Sequence, residues 1–205
     1  MIRFLLVFIL LYSLFDTAMA AFLPKAFEAT FIEEKVSVIG SKKTIKHIDV
    51  KYQFPSHIYL KVVEEDALYI CNSTKVWFYT PPFIEGEPGL VKVGSSSKYC
   101  YSKVFDSLKK GLKDNKLYSV KKLKNNTFEL TFMDNAKKQL GLDKLKLFFK
   151  DNKTEFQNVR SIELYYTGEA HPVALKRKKI EVSKGFKKSL FEFNPPQNTE
   201  TQLMK

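Results

Sequence analysis

Few side chains in this sequence could do chemistry, and they are scattered. The three histidines, His47, His57 and His171, stand far apart. None falls in the His-x-x-x-His or His-Glu-x-x-His spacing that sets two imidazoles on one helical face around a metal. Gly94-Ser95-Ser96-Ser97 lacks the strand, Gly-x-Ser-x-Gly and helix context of a nucleophile elbow. With eight glycines in the chain, no phosphate-cradling loop can be drawn. Glu33-Glu34 and Glu64-Glu65-Asp66 cluster carboxylates at apparent strand ends, which reads as solvated turns rather than an acid/base pair. Two cysteines, Cys71 and Cys100, cannot build a cysteine-only zinc site. The expectation is a binding protein without catalysis, metal or cofactor.

The remaining chemistry is charge and greasiness. The 205 residues include 34 basic and 22 acidic side chains, a formal net charge of +12. The basic run Lys176-Arg177-Lys178-Lys179 lies inside an apparent strand. Lysines and aromatics interleave as they would in a single-strand nucleic-acid binder. Strand alternation, however, puts most aromatics on the face opposite the charges, so the run is expected to dock an acidic partner or membrane surface and not nucleic acid. Residues 1–20 read as a cleavable export signal. Arg3 is the positive start, Phe4 to Phe15 an apolar core too short to span a membrane comfortably, and Ala18-Met19-Ala20 a small-x-small site before Ala21. Export to an oxidising compartment makes a Cys71–Cys100 bridge the expected state, contributing about 3–4 kcal/mol through loop closure. Asn72, Asn125 and Asn152 sit in Asn-x-Ser/Thr sequences, which matter only in a eukaryotic secretory route.

Behind these residues stands one domain, 21–205, with a period-two pattern. Ile48, Val50 and Tyr52 alternate with polar neighbours, as do Ile58, Leu60 and Val62, then Phe128, Leu130 and Phe132, then Leu145, Leu147 and Phe149, then Ile162, Leu164 and Tyr166. Ile180 with Val182, and Phe191 with Phe193, extend the series. Asn72-Ser73 between Leu68–Cys71 and Thr74–Tyr79 predicts a hairpin. Taken as a two-residue loop, it sets Cys71 opposite Thr74, Tyr69 opposite Val76 and Leu68 opposite Trp77. Trp77 then shares a face with Leu68 and Ile70, and Phe78 shares the other with Tyr69 and Cys71. Val104, Phe105, Leu108 and Leu112 recur at helical spacing and predict a helix over 102–113. A shorter helical turn is predicted over 135–140. About ten strands and one or two helices result, with more apolar strand face than helix can cover.

Three stretches resemble the LolA-type periplasmic carriers of outer-membrane lipoproteins. They are Phe27-Glu28-Ala29-Thr30-Phe31, Val76-Trp77-Phe78-Tyr79-Thr80-Pro81 after the Asn72-Ser73 turn, and Phe191-Glu192-Phe193-Asn194-Pro195-Pro196. The resemblance implies a mainly β, α+β fold: a strongly curved antiparallel sheet, an unclosed half-barrel, with one to three helices as a lid over its concave face. It implies a monomeric periplasmic chaperone. Its cargo would be acylated lipoproteins, its donor an inner-membrane ABC transporter, and its acceptor an outer-membrane receptor or membrane. A cavity lined by Ile58, Leu60, Phe78, Phe128, Leu130, Phe132, Leu147, Phe149, Ile162 and Leu164 would shield the acyl chains, each methylene of which favours burial by about 0.8 kcal/mol. The sequence departs from the family where an arginine thought to tether the lid precedes a proline: here Phe54 precedes Pro55. Two cavity aromatics of the family fall at Ile58 and Leu60, and the family's first helix is missing or very short. An envelope sensor or interaction module using the same half-barrel to hold an acylated or peptide segment is the alternative.

Overall fold

The computed structural model describes residues 21–36, 43–151 and 153–204. The expected signal segment and Asn152 lie outside them. Strands β1 (Ala26–Val36), β2 (Lys43–Gln53), β3 (His57–Val62), β4 (Ala67–Cys71), β5 (Lys75–Thr80) and β6 (Gly89–Ser95) come first. Helices α1 (Ser96–Tyr99) and α2 (Ser102–Leu108) follow, then β7 (Tyr118–Leu123), β8 (Thr127–Phe132), α3 (Asp134–Leu140), β9 (Leu142–Phe149), β10 (Val159–Tyr166), β11 (Val173–Val182) and β12 (Thr199–Leu203).

All twelve strands join one sheet in the order β12-β6-β5-β4-β3-β2-β1-β11-β10-β9-β8-β7. It is two antiparallel meanders, β1–β6 and β7–β11, sewn together where β1 pairs with β11. β12 adds to β6 in parallel. The sheet is open and is not strongly curled, which corrects the expectation of a strongly curved half-barrel. Tight curvature needs bulges or glycine kinks repeated at corners; among the described residues Gly89 and Gly94 are the only strand glycines, and register shifts fall at Thr30–Phe31 of β1 and at the two ends of β10.

Period-two side chains divide the sheet into two faces. Phe27, Tyr52, Ile58, Cys71 and Val76 lie opposite one another across β1–β5. Val173, Leu164, Leu145, Leu130 and Val120 do the same across β11 to β7. These rows share the face on which Val104 and Leu108 of α2 and Ala136 and Leu140 of α3 are buried, so the helices form a roof. On the outer face, Tyr59, Ile70, Trp77 and Val93 form a row. Phe191 is buried there, its ring edge-on to His57, and Phe193 packs on Tyr79.

Several sequence-based expectations need correction. Phe191–Phe193 is not a strand: Lys188–Phe191 is a 3-10 turn crossing the outer face. β6, β7 and β12 were not anticipated, because lysine, glycine and polar residues dilute their alternation. α2 stops at Leu108, before Gly111, whose φ of 104° is left-handed. The β4–β5 hairpin pairs Cys71 with Val76 and Ile70 with Trp77, two residues away from the expected register. Asn72, Ser73 and Thr74 form the loop, because the Asn72 side-chain oxygen accepts from the Thr74 and Lys75 amides, and the Asn72 amide donates to the Lys75 carbonyl. A shift of two keeps every side chain on its face, so the face assignment of Trp77 and Phe78 holds.

Candidate functional site: an apolar face beneath a helical roof

The ten residues expected to line a cavity converge on the roofed face. Ile58, Leu130, Phe132, Leu147 and Phe149 belong to one buried apolar cluster, and Leu60, Phe78, Phe128, Ile162 and Leu164 pack against it half-buried. The space between roof and sheet is filled by the chain's own side chains. Phe22 and Leu23, ahead of β1, are buried in the same cluster. The Phe22 ring stands edge-on to Phe149 and to Phe156, each at 5.9 Å. Phe156, from the 3-10 turn Phe156–Asn158, sits 4.4 Å from the Phe27 ring.

Two attachments hold α1 and α2 down. Cys100 between them is joined to Cys71 of β4 by a disulfide, with Cα atoms 6.1 Å apart. Beside it the Tyr101 ring stacks on Tyr69 at 5.1 Å, and the Tyr69 hydroxyl accepts from the Tyr101 amide at 2.8 Å. The second attachment is Asp106 of α2. Its carboxylate accepts from the Tyr52 hydroxyl at 2.7 Å and from the Ser56 amide and hydroxyl at 3.3 and 3.2 Å. Phe105 stacks on Tyr52 at 5.3 Å, and the Lys109 ammonium lies 4.9 Å over the Phe54 ring. The polar tie of this roof runs from an acid on the helix to donors on β2 and its turn. Burial, then the Asp106 carboxylate, pushes the Tyr52 phenol far above its usual range. The second half of the roof is tied to the first where the Gln139 amide of α3 donates to the Lys98 carbonyl at 2.9 Å.

At the rim of this face lies a cavity of about 840 Å³, lined by Glu33, Glu34, Gly141, Tyr166, Thr167, Glu169, His171 and Pro172, and by Val173 and Ala174 at the start of β11. Val173 belongs to both the cavity wall and the apolar packing under the roof. The cavity holds none of the ten expected lining residues.

The basic run is largely engaged within the sheet. Lys176 reaches Glu34 at 3.0 Å, Lys179 reaches Glu181 at 2.7 Å and Glu28 at 3.9 Å, and the Arg177 guanidinium donates to the Gln157 carbonyl. Lys178 is the extra residue of a bulge opposite Thr30 and Phe31, and it is exposed. His47 pairs with Glu64 at 2.6 Å on the surface, and His171 lines the rim cavity. Among the described residues, no group of three or more His, Cys, Asp or Glu is placed to hold a metal, and no helix is long and apolar enough to cross a membrane. Sequence reasoning missed Asp106, Ser56, Phe22, Leu23 and Phe156. The only available signal was their apolar or hydrogen-bonding type, since the partners of Asp106, Ser56, Phe22 and Phe156 lie from 50 to 134 positions away in the chain.

No protein-family model matches the sequence, and no curated protein matches it. Solved structures are similar in fold at low identity. A LolA-superfamily protein from Nitrosomonas europaea is 12% identical, with 89% of this chain and 97% of that one covered and a TM-score of 0.46. A putative outer membrane lipoprotein-sorting protein domain from Vibrio parahaemolyticus is 11% identical, with 81% and 88% covered and a TM-score of 0.44. An uncharacterized conserved protein from Thermus thermophilus is 10% identical, with 89% and 92% covered and a TM-score of 0.46. Likenesses at these TM-scores carry no functional argument, so the functional reading rests on the chain's own residues.

Proposed function

We propose that this chain is an exported carrier that shields the acyl chains of lipoproteins in the periplasm and moves them from the inner to the outer membrane, without catalysis. The observation that carries the reading is the apolar face under the roof. Ten strand side chains meet there with helices held by two local attachments, a disulfide–tyrosine pair and the Asp106 carboxylate. An alkyl chain has no directional bonds to satisfy, so a surface of Phe, Leu and Ile with few polar groups suits it. Lifting the roof would exchange side-chain contacts for lipid contacts without breaking any strand ladder. The roof is the lid of this reading, and the rim cavity beside Tyr166 and Val173 is the place where a chain would enter. The Cys71–Cys100 bridge fits an oxidising compartment. Donor transporter and acceptor membrane follow from the reading and would meet the basic surface.

The test has two arms. An apolar fluorescent probe should bind the exported protein and be displaced by a diacyl lipopeptide. Incubation with spheroplasts or inner-membrane vesicles should then release lipoproteins into the soluble fraction. A protein that neither binds the probe nor solubilises lipoproteins is not a carrier. A single stable protein partner captured without lipid would instead favour a sensor or interaction module.

A further inference from the structure

We infer that Phe22 and Leu23 are a built-in plug, occupying the subsite where an alkyl chain of the cargo would lie; the inference rests on the carrier reading and names its binding position. Residues 21–25 belong to no helix or strand, yet Phe22 is 8% and Leu23 1% exposed, while Ala21 before them is exposed. The first strand residue is Ala26, and the hydrogen bond from the Phe54 amide to the Lys25 carbonyl at 2.8 Å marks where the chain becomes fixed. Ahead of that point, Pro24 interrupts the run and side-chain contacts hold the segment down. Those contacts are the ones an alkyl chain would make. Phe22 meets Phe149 and Phe156 edge-on, Phe149 meets Phe128 at 5.7 Å, and Phe105 closes over Phe27 at 6.3 Å. This aromatic shell spans both meanders and ends at α2, so a guest there would touch sheet and roof together.

Once the expected signal is cut before Ala21, leaving would require no ladder bond to break and no loop to reopen, because the segment would then hang from Lys25 alone. Re-seating is intramolecular and fast compared with cargo transfer. An emptied carrier would therefore refill its own groove instead of exposing apolar surface to water or to the wrong lipid. Competition of this kind lowers apparent affinity by the fraction of time the site is open. A plug seated about nine-tenths of the time costs about tenfold.

The experiment uses the exported chain and dansyl-undecanoic acid as probe. Phe22→Ala with Leu23→Ala should bind the probe about tenfold more tightly than the parent. As a second arm that preserves bulk, Phe22→Trp is placed in a Trp77→Phe background, leaving one indole, at position 22. That indole should be shielded from acrylamide in the free protein and become accessible when probe saturates. Equal probe affinity in parent and double-alanine variant, with the position-22 indole still shielded at saturation, overturns the plug and leaves the carrier reading standing. No probe binding by either protein overturns both. If the double variant does not fold, the indole arm decides alone.

Discussion

Asp106 gathers three donors on two carboxylate oxygens, and one of them belongs to Tyr52, which is fully buried. Asp106→Ala strands the Tyr52 hydroxyl away from water. Leaving a buried donor unsatisfied costs about 1–3 kcal/mol, so urea unfolding should fall by that amount, whereas Asp106→Asn, which keeps one acceptor oxygen, should lose less. The buried tyrosines also set the alkaline limit. Tyr52 and Tyr69 are pushed well above the ordinary phenol value, and Tyr118 to about 12, in each case first by burial. The unfolded chain releases these protons near pH 10 and the folded chain holds them. Stability is therefore full below pH 10 and declines as pH rises toward 12. Absorbance at 295 nm should show Tyr52, Tyr59, Tyr69, Tyr101, Tyr118 and Tyr166 ionising above the ordinary phenol range, with the most deeply buried of them, Tyr52, Tyr69 and Tyr118, ionising only in step with loss of the near-ultraviolet dichroism.

Elements succeed or fail by the contrast between their faces. β2, β3, β8, β9 and β10 could be read from alternation because each buries one side under the roof and shows lysine or glutamate on the other. β12 could not, since Thr199 to Gln202 carry no apolar stripe and its place depends on the β6 edge. Phe191 and Phe193 alternate like a strand, but Pro195 and Pro196 follow, and the segment serves as a cover over His57 and Tyr79 rather than as a ladder partner. Of the roofed face, the ten strand residues expected there were legible because period two fixes the face. Phe22, Phe156 and Asp106 were not, because their partners lie on distant elements and no local spacing encodes them. The roof's main covalent tie is testable at this scale. Cys71 and Cys100 enclose a loop of 29 residues, and replacing both with serine should cost about 3.5 kcal/mol in the chain-entropy account. Thermal unfolding checks this, and probe association should become faster as α1 and α2 loosen.

For the molecule as a whole, charge and apolar surface have separate tasks. In the proposed carrier, the roofed face would decide retention and the net charge of +12 would decide encounter with acidic partners. Between 0.05 and 0.5 M salt, transfer to membranes should slow while probe affinity stays flat, because screening shortens to about 8 Å by 0.15 M. Replacing Lys176, Arg177, Lys178 and Lys179 with serine should slow transfer at low salt. A modest loss of stability should accompany it, since Arg177 and the Glu34 and Glu28 pairs are cut as well. An unchanged transfer rate would leave the run with no role beyond solubility. The seam between the meanders has a consequence for how the chain comes to exist. β1 stands in the middle of the sheet, and its second neighbour arrives only with β11, Glu33 pairing with Leu175. In a chain threaded outward with its N-terminus first, β1 to β6 can zip as they emerge and Cys71 can find Cys100 early. The far edge of β1, its backbone N–H and C=O groups unpaired, waits bare until β11 is through. Pairing across such a separation is slow, and a waiting strand edge invites other chains. Maturation should therefore be timed by the closing of this one seam and depend on whatever guards β1 in the interval.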